Sequence, residues 1–416
     1  MRKKSDWPMM HKQAQVIIIG AGPAGLMAAI TAAGQGKQVK VLECLHAPGR
    51  KLLASGAGKC NFTNMLPAAS MAECFPPEQR RFVRPALLEF TPEQVRDFFA
   101  RRGVNYKLTD DFYCFPVSEK ADDILQVLLA EARLHNVEII CNKLVSDIKI
   151  VNNQIQGVYV QDEFYPCNYL IAAAGGPGFP RLGGRGSLDE IFARHGLTIN
   201  KRTPALCGIK SSSSWLQNLA GIVLERVKLT LDKNNYSCGT LLFTGDGISA
   251  PAALDLAGRV AKQKITTKEV QLYLDFCPEK SREDWNDLLE NARKNTGKRL
   301  IHNVLSDILP HAVAAALANA SGAGSCEASV LSKTQRECLL NMLTACPISV
   351  SGVESWEKAM ASTGGLSCSK LKSKTLQSRE LNNLYAAGEF IDVDGPCGGY
   401  NIQWALSSGH LAGMLK

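Results

Sequence analysis

An α/β fold built on a buried parallel sheet is predicted for this 416-residue chain, and three observations predict it. A β-branched run at 16–19 leads at once into Gly20-Ala21-Gly22-Pro23-Ala24-Gly25 and an Ala-rich stretch at 26–33. Continuous apolar runs recur at 169–173 and 384–387, each ending in small residues, as central strands covered on both faces do. Between them, residues 207–210, 223–231 and 239–243 alternate or run apolar with polar breaks, which predicts an antiparallel, barrel-like insert.

In chain order, residues 1–14 read as a ragged N-terminal extension. Gly34 and Gly36 stop the first helix, and 39–42 form a second strand ending at Glu43. Together these parts make the Rossmann-like strand–GxGxxG–helix–strand–acid unit of dinucleotide binding. Gly20 makes the tight turn, Gly22 lets the backbone approach a pyrophosphate, and Gly25 lets the helix pack against the strand. Pro23 and Ala24 complete the fingerprint, and the amides at the helix start receive phosphate charge. Glu43, 23 residues after Gly20, accepts from both hydroxyls of a ribose and repels a 2′-phosphate, which favours FAD or NAD over NADP.

Further along, Thr91, Pro92 and Glu93 open an amphipathic helix through Phe99. Residues 110–116 read as a hairpin or edge, 121–134 as a helix with an apolar side, and 148–160 as a strand pair around a polar turn. Asp246 to Ser249 are expected to cap a helix at 250–258, and 285–289 and 301–320 read as helical. On one continuous helix His302 and His311 stand two and a half turns apart, on opposite faces, and make poor co-ligands.

Composition excludes several classes. Charged residues at 21% and hydrophobic ones at 45% do not fit a disordered or coiled-coil chain. The net charge of +8 is diffuse, with no long basic tract interleaved with aromatics, so no stable nucleic-acid partner is expected. The basic balance suits an acidic ligand or a passing contact with an anionic membrane surface, and it keeps an RNA-modifying flavoprotein as a third reading. The 14 cysteines are scattered without a CxxC, which argues against a zinc ribbon, an iron–sulfur ligand set or any metal site. No apolar segment precedes the first strand and no uncharged apolar run reaches 18 residues. A cytoplasmic protein with reduced thiols, no signal peptide and no transmembrane segment is therefore expected.

The segment 48–64 separates FAD from NAD. It is Gly-rich, cationic and hydroxyl-rich, and reads as a wall for a long cofactor. Arg50 or Lys51 is placed near phosphate, and the backbone at Leu52, Ser55, Gly56, Gly58, Cys60 and Asn61 near the flavin. Small residues at Ala174 and Gly175 let the cofactor pass close to a strand end. Gly388 and Glu389 follow the last strand, where a carboxylate hydrogen-bonds the ribityl hydroxyls that FAD has and NAD lacks. Asp392, Gly398 and Gly399 cross toward the ring, and Tyr400 and Asn401 begin a helix whose amides face the flavin N1–C2 edge.

Four stretches carry a family resemblance: GRKLLASGAGKCNFTN at 49–64, YLIAAAGGPGFPRLGGRG at 169–186, GTLLFTGDGISAPAAL at 239–254 and NLYAAGEFIDVDGPCGGYNIQWALSSGHLAG at 383–413. With the fingerprint upstream they resemble the BaiN-like (aminoacetone-oxidase-like) family of bacterial NAD(P)/FAD-dependent flavoproteins. The resemblance implies a glutathione-reductase-like FAD domain in two pieces, 15–200 and 351–416. It implies an inserted β-rich domain at 201–275 and an inserted helical segment at 276–350. It also implies non-covalent FAD, and activities ranging from reduction of unsaturated steroid or bile-acid-like molecules to amine oxidation. The chain departs from the family pattern at Gly245, Ala250, Lys370 and 376–379, on the insert and substrate side.

The expected function is FAD-dependent hydride transfer to an unsaturated small or lipophilic molecule, with NADH or NADPH as a transient electron donor. No second complete GxGxxG follows a strand, so nicotinamide would bind transiently over the flavin. An amine-type oxidase using oxygen, and a flavin-binding protein with little turnover, are the alternatives. Asp394, Tyr400 and Cys60 are the catalytic candidates. Asp392 and Lys59 are the other nearby acid–base groups, and Cys397 is the one thiol that could pair with Cys60. A monomer or homodimer is expected.

Overall fold

The computed structural model describes residues 14–109, 112–216, 218–267 and 269–416. Apart from its last residue, the expected N-terminal extension lies outside the described residues, as do Asp110 and Asp111 of the expected hairpin. The chain forms two compact units: Pro204–Ser355, and the chain on either side of it.

The first unit begins with β1 (Ala14–Ile19), α1 (Pro23–Gly34), β2 (Val39–Leu42) and α2 (Arg50–Leu53). A small sheet and helices follow: β3 (Thr63–Asn64), α3 (Ala68–Glu73), α4 (Pro77–Glu89), α5 (Pro92–Ala100), β4 (Tyr106–Leu108), β5 (Tyr113–Pro116) and α6 (Ala121–Leu134). Thr91 caps α5 through a reciprocal box with Gln94, which fixes where that helix starts. Next come β6 (Glu138–Ile140), β7 (Asp147–Val151), β8 (Gln154–Val160), β9 (Glu163–Ala172), α7 (Ser187–Arg194) and β10 (Ile199–Ala205).

The main sheet has the order β6-β2-β1-β9-β8-β7. Ile17 of β1 pairs in parallel with Lys40 on one side and Leu170 on the other. Flanked on both sides, the run at Val16–Ile19 is buried on both faces, which is why the sequence there is continuous rather than alternating. β9 changes partners along its length. Its first half pairs antiparallel with β8, and its second half runs parallel to β1.

The second unit contains β11 (Ile209–Ser211), β12 (Val223–Asp232), β13 (Asn235–Thr244), β14 (Gly247–Ser249), α8 (Pro251–Thr266) and β15 (Val270–Asp275). Four helices follow, α9 (Arg282–Asn295), α10 (Ile301–Leu305), α11 (His311–Ala320) and α12 (Lys333–Ala345), and then β16 (Cys346–Val353). The strands close a barrel in the order β11-β14-β13-β12-β15-β16. Its last strand comes after the helices, whereas the sequence assigns 346–350 to the helical segment.

Two local expectations are corrected here. Residues 247–249 do not cap a helix; they form β14, because Gly247 lies so near β11 that a Cβ would come 2.0 Å from Ile209 O. The helix starts instead from Ala250, at φ 71 and without a side-chain cap. Residues 301–320 are not one helix either. Pro310 caps a new one, and the chain folds back so that the His302 and His311 rings lie 5.4 Å apart, edge to face. Among the described residues no group of three potential metal ligands forms around them or elsewhere.

The chain returns to the first unit as β17 (Ala361–Leu366), β18 (Leu384–Ala386) and α13 (Tyr400–Gly413). β18 joins β9 in parallel, Tyr385 opposite Ile171. α13 packs against α1 so closely that a Cβ on Gly409 would come 2.3 Å from Ala24 O. The two chain ends thus share one core, and the loops after β1, β9 and β18 open at the same sheet edge, where parallel sheets bind ligands. Among the described residues no helix is long and apolar enough to cross a membrane.

Candidate functional site

The site begins at the β1–α1 turn. A Cβ on Gly25 would come 1.9 Å from Gly20 O, so only glycine allows this helix to sit against its own turn. Gly22 differs: nothing lies within 4 Å of the position its Cβ would take. It is the N-cap of α1 and no side chain caps the helix. An uncapped helix start beside open space is a cradle for an anion. Glu43 stands at the end of β2, 8% exposed. Its Oε2 accepts from Ala21 N at 2.8 Å and its Oε1 from Leu45 N at 2.9 Å. Two amides thus orient the carboxylate, Cys44 Sγ also donates to Oε1 at 3.4 Å, and Oε2 keeps a lone pair for a hydroxyl.

The 48–64 segment forms α2 and a tight turn in which Gly56 and Ala57 are left-handed. Arg50 is on its outside, against His46. Leu52 is buried, Ser55 Oγ donates to Leu52 O at 2.6 Å, and Cys60 N donates to Ser55 O at 3.0 Å. Gly58 lies in the same turn at φ 88. Cys60 is fully buried, and burial pushes its thiol up to about 12 against the opposing Ser55 hydrogen bond. A thiol held this high favours its neutral form at physiological pH. With its amide oriented to satisfy both ends, Asn61 donates to Thr63 O and Cys114 O and accepts from Gly399 N at 3.2 Å.

A charged cluster lies behind the strand ends. Lys51 Nζ donates to Glu389 Oε2 at 2.7 Å, and Ser362 donates to Glu389 Oε1 through both N and Oγ at 2.9 Å. Burial alone would raise the Glu389 carboxyl, but Lys51, with Arg202 and Ser362, holds it below the ordinary carboxylate value. Arg202 forks onto Asp189 through Nε and Nη2. Its Nη1 reaches Ser362 Oγ, Gly364 O and Glu389 O, and its Nη2 also reaches Phe390 O. Over this cluster runs the loop after β9. Ala174 is part-buried, and Gly175, at φ 72, has open space where a Cβ would be. Gly388 N donates to Ser408 Oγ of α13.

The loop before α13 is braced from several sides. Asp392 accepts from Gly364 N and from Asn200 Nδ2, both at 2.7 Å, and so ties β17 and β10 to the loop. Asp394 pairs with the amide of Gln79, backbone and side chain together. Asn401 reaches back to Gly395, accepting from its N at 2.9 Å and donating to its O at 2.8 Å. Tyr400 is 9% exposed and meets Phe75 edge to face. Asn64 Nδ2 donates to Gly398 O at 2.9 Å, and Gly399, left-handed at φ 86, caps α13 without a side-chain cap. The helix therefore presents a second set of first-turn amides next to glycines.

The structure thus brings the fingerprint glycines, Glu43, the 50–61 wall, the Gly175 loop, Glu389 and the α13 start to one edge of one sheet. It gives Asp392 and Asp394 hydrogen bonds that brace the loop against β17, β10 and α4. Sequence reasoning missed Arg202, Asp189, Ser362 and Gln79. Arg202 and Ser362 are 160 positions apart, and no local motif announces their contact. The fit to FAD rests on two observations: empty Cβ positions at Gly22 and Gly175, and two uncapped helix starts, suited to a diphosphate and to an electron-rich ring edge.

A family model described as the HI0933-like protein Rossmann domain matches residues 14–415. The chain is 30% identical over 408 residues to the 3-dehydro-bile acid delta(4,6)-reductase of Clostridium scindens, covering 95% of this chain and 97% of that one. It is 28% identical over 414 residues to the ribosomal RNA dihydrouridine synthase of Haemophilus influenzae, covering 97% and 99%. In fold it is similar to a 3-ketosteroid delta1-dehydrogenase from Sterolibacterium denitrificans, with a TM-score of 0.53 at 11% identity, over 97% of this chain and 99% of that one. With its interrupted Rossmann-like fold, this chain belongs to the HI0933-like family and is an FAD-dependent oxidoreductase.

Proposed function

We propose that the chain reduces a carbon–carbon double bond conjugated with a carbonyl on a small lipophilic molecule, with NADH or NADPH as the electron donor. The observation that carries this reading is the α13 start, where uncapped amides follow Gly398 and Gly399. A helix N-terminus there stabilises the negative charge of a reduced flavin edge. Bound FAD supplies the hydride carrier. The chain's residues supply binding and orientation: Glu43 takes the ribose hydroxyls, the α1 start takes the diphosphate, and Glu389, held by Lys51 and Ser362, takes the ribityl hydroxyls. The Clostridium scindens relative, by its name a reductase of a delta(4,6) bile acid, supports an unsaturated lipophilic substrate.

A second reading is supported by the Haemophilus influenzae relative and by the net charge of +8: the same reduction carried out on a uridine within RNA. Both readings share the chemistry and differ in what carries the double bond.

The test is the absorbance spectrum of purified protein under anaerobic conditions, before and after NADH and then NADPH, followed by an enone. Bleaching by one nucleotide and recovery of the band on enone addition is the expected result. A band that persists with both nucleotides overturns the reductase reading and points to an oxidase or a non-catalytic binder. Recovery only with RNA, together with salt-dependent RNA retention, selects the second reading.

A further inference from the structure

We propose that one face of the β3–β5–β4 sheet holds the substrate, and that the substrate carries an anionic group taken by Lys59 and Lys107. The inference rests on the enone-reduction reading and names the class of molecule that the site accepts: planar, apolar in its body and acidic at one end.

Strand register defines the face. Tyr113 and Phe115 are two residues apart on β5 and point to the same side. Asn64 of β3 stands directly opposite Tyr113, and Lys107 of β4 directly opposite Phe115. All four side chains therefore share one face, and it lies against both loops assigned to the flavin. Asn64 Nδ2 donates to Gly398 O at 2.9 Å, and the Tyr113 ring leaves no room for a Cβ on Gly398. The Phe115 ring meets Gly56 of the wall, where a Cβ would stand 3.4 Å from Phe115 Cε1. Lys107 is tied to the same wall through Glu119, whose Oε1 pairs with Lys107 Nζ at 2.6 Å and whose Oε2 pairs with Lys59 Nζ at 3.3 Å.

Two features of this face exceed what packing needs. The rings are not sealed: Cys114 and Pro116, which alternate with them, are buried, whereas Tyr113 and Phe115 are half-buried. Each ring keeps an accessible part beside the cofactor loops, and along the strand the two stand about 7 Å apart, close to the length of two fused six-membered rings. The charge is also unbalanced. Among the described residues Glu119 is the one carboxylate paired with either lysine. The Lys107 and Lys59 hydrogen bonds hold its carboxyl below the usual range, so it stays ionised. Two cations on one anion leave one positive charge over, and each ammonium has donors beyond the one that Glu119 takes. The Lys59 and Lys107 side chains are 51% and 45% exposed, within reach of a ligand. An apolar surface edged by a few polar groups fixes both the place and the direction of a bound molecule. Here the rings take the flat body and the ammonium pair takes the acidic end, which sets the carbon presented to the hydride donor. Neither the rings nor the lysines exchange a bond in the reaction; they are positioning residues.

The probes are 2-naphthoate, 2-naphthyl phosphate and the neutral 2-naphthamide, titrated into oxidised holoenzyme and followed by perturbation of the flavin spectrum. Wild type is expected to bind at least one anion about tenfold more tightly than the amide, as charge-assisted hydrogen bonds do, and the preferred anion identifies the acidic group. In Lys59→Met with Lys107→Met the preference disappears while the amide binds as before. Glu119→Gln is expected to bind the anions more tightly than wild type, because a competing carboxylate has gone; a plain surface ion pair gives no such gain. Phe115→Leu weakens all three probes alike, by about two- to tenfold. Equal affinity of wild type for the amide and both anions overturns the proposal, as does failure to bind any probe. An anion preference that survives the double lysine variant overturns it too. Weaker FAD retention in Phe115→Leu with unchanged probe affinity overturns it by making the face a cofactor wall. The titration needs no nicotinamide. A wild type that neither NADH nor NADPH reduces therefore defeats the proposed function, while the probes still decide the role of this face.

Discussion

Lys51 Nζ and Glu389 Oε2 lie 2.7 Å apart although 338 positions separate them in the chain. The contact joins the wall after β2 to the turn after β18 and fixes the carboxylate assigned to the ribityl chain. Its charge state follows from its neighbours. Burial would raise the Glu389 carboxyl, and Lys51, Arg202 and Ser362 bring it below the ordinary value. A depressed folded-state pKa means that the stabilisation is complete above the unfolded carboxylate pKa and is lost as pH falls through the folded one. Lys51→Met raises the folded pKa, so the acid end of FAD retention moves to higher pH. Release of FAD fluorescence during acid titration of both proteins measures this, and coincident midpoints would refute it. Glu389→Gln loses charge-assisted hydrogen bonds of about 1.5–3 kcal/mol, so FAD dissociates at least about tenfold more readily.

Two glycines of one fingerprint are expected to fail differently. Gly25→Ala forces a Cβ to 1.9 Å from Gly20 O, so the α1 start must shift. Such overpacking costs about 1–3 kcal/mol, and both thermal stability and FAD binding fall. Gly22→Ala meets no protein atom within 4 Å. The apoprotein therefore unfolds at the wild-type temperature, while the FAD affinity drops because the methyl group takes the diphosphate's space. Unfolding scans of the apoproteins with FAD titrations separate the two, and a Gly22→Ala protein with normal affinity would place the diphosphate elsewhere.

The same contrast explains what was legible in the sequence. The β1–α1–β2 unit was readable because its chemistry is local: turn, helix start and acid all lie between Gly20 and Glu43. β18 was readable because a strand buried on both faces is continuously apolar. The His302–His311 contact was not, because a single helix was assumed across Pro310, where the chain turns. β14 was not, because three residues of barrel strand resemble a polar cap until the β11 neighbour is known. Arg202, Ser362 and Gln79 carry no local signature: the Arg202–Ser362 contact spans 160 positions and the Gln79–Asp394 contact 315.

Cys60 is expected to be chemically silent. Its thiol is buried and pushed up to about 12, and all the cysteines are free. Near neutral pH, iodoacetamide labels the exposed Cys74 and Cys238 in the folded holoprotein and leaves Cys60 unmodified. Cys60→Ala keeps its flavin reducible by the same donor as wild type. Peptide mapping and anaerobic reductive titration check both points. Uptake of two electrons beyond the flavin in wild type, lost in Cys60→Ala, would instead reveal a redox pair with Cys397.

Arg202 separates a strut from a cofactor support. Its side chain is 6% exposed and that of Asp189 17%, and the fork between them is the strongest element of the cluster. Arg202→Met leaves the Asp189 carboxylate without its partner, and breaking a buried pair from one side costs about 3–5 kcal/mol. Replacing both, as Arg202→Met with Asp189→Leu, removes the stranded charge and is expected to recover most of that stability. The FAD affinity is not expected to recover with it, because Nη1 of Arg202 also holds Ser362 Oγ and Glu389 O, and neither is restored by an apolar pair. Urea unfolding of the apoproteins and FAD titration of the same samples give the two readings independently. A double variant that regains both stability and affinity would make Arg202 a packing element alone. Stability regained with affinity still low would mean that Arg202 acts on the cofactor through the carboxylate that Lys51 holds from the other side.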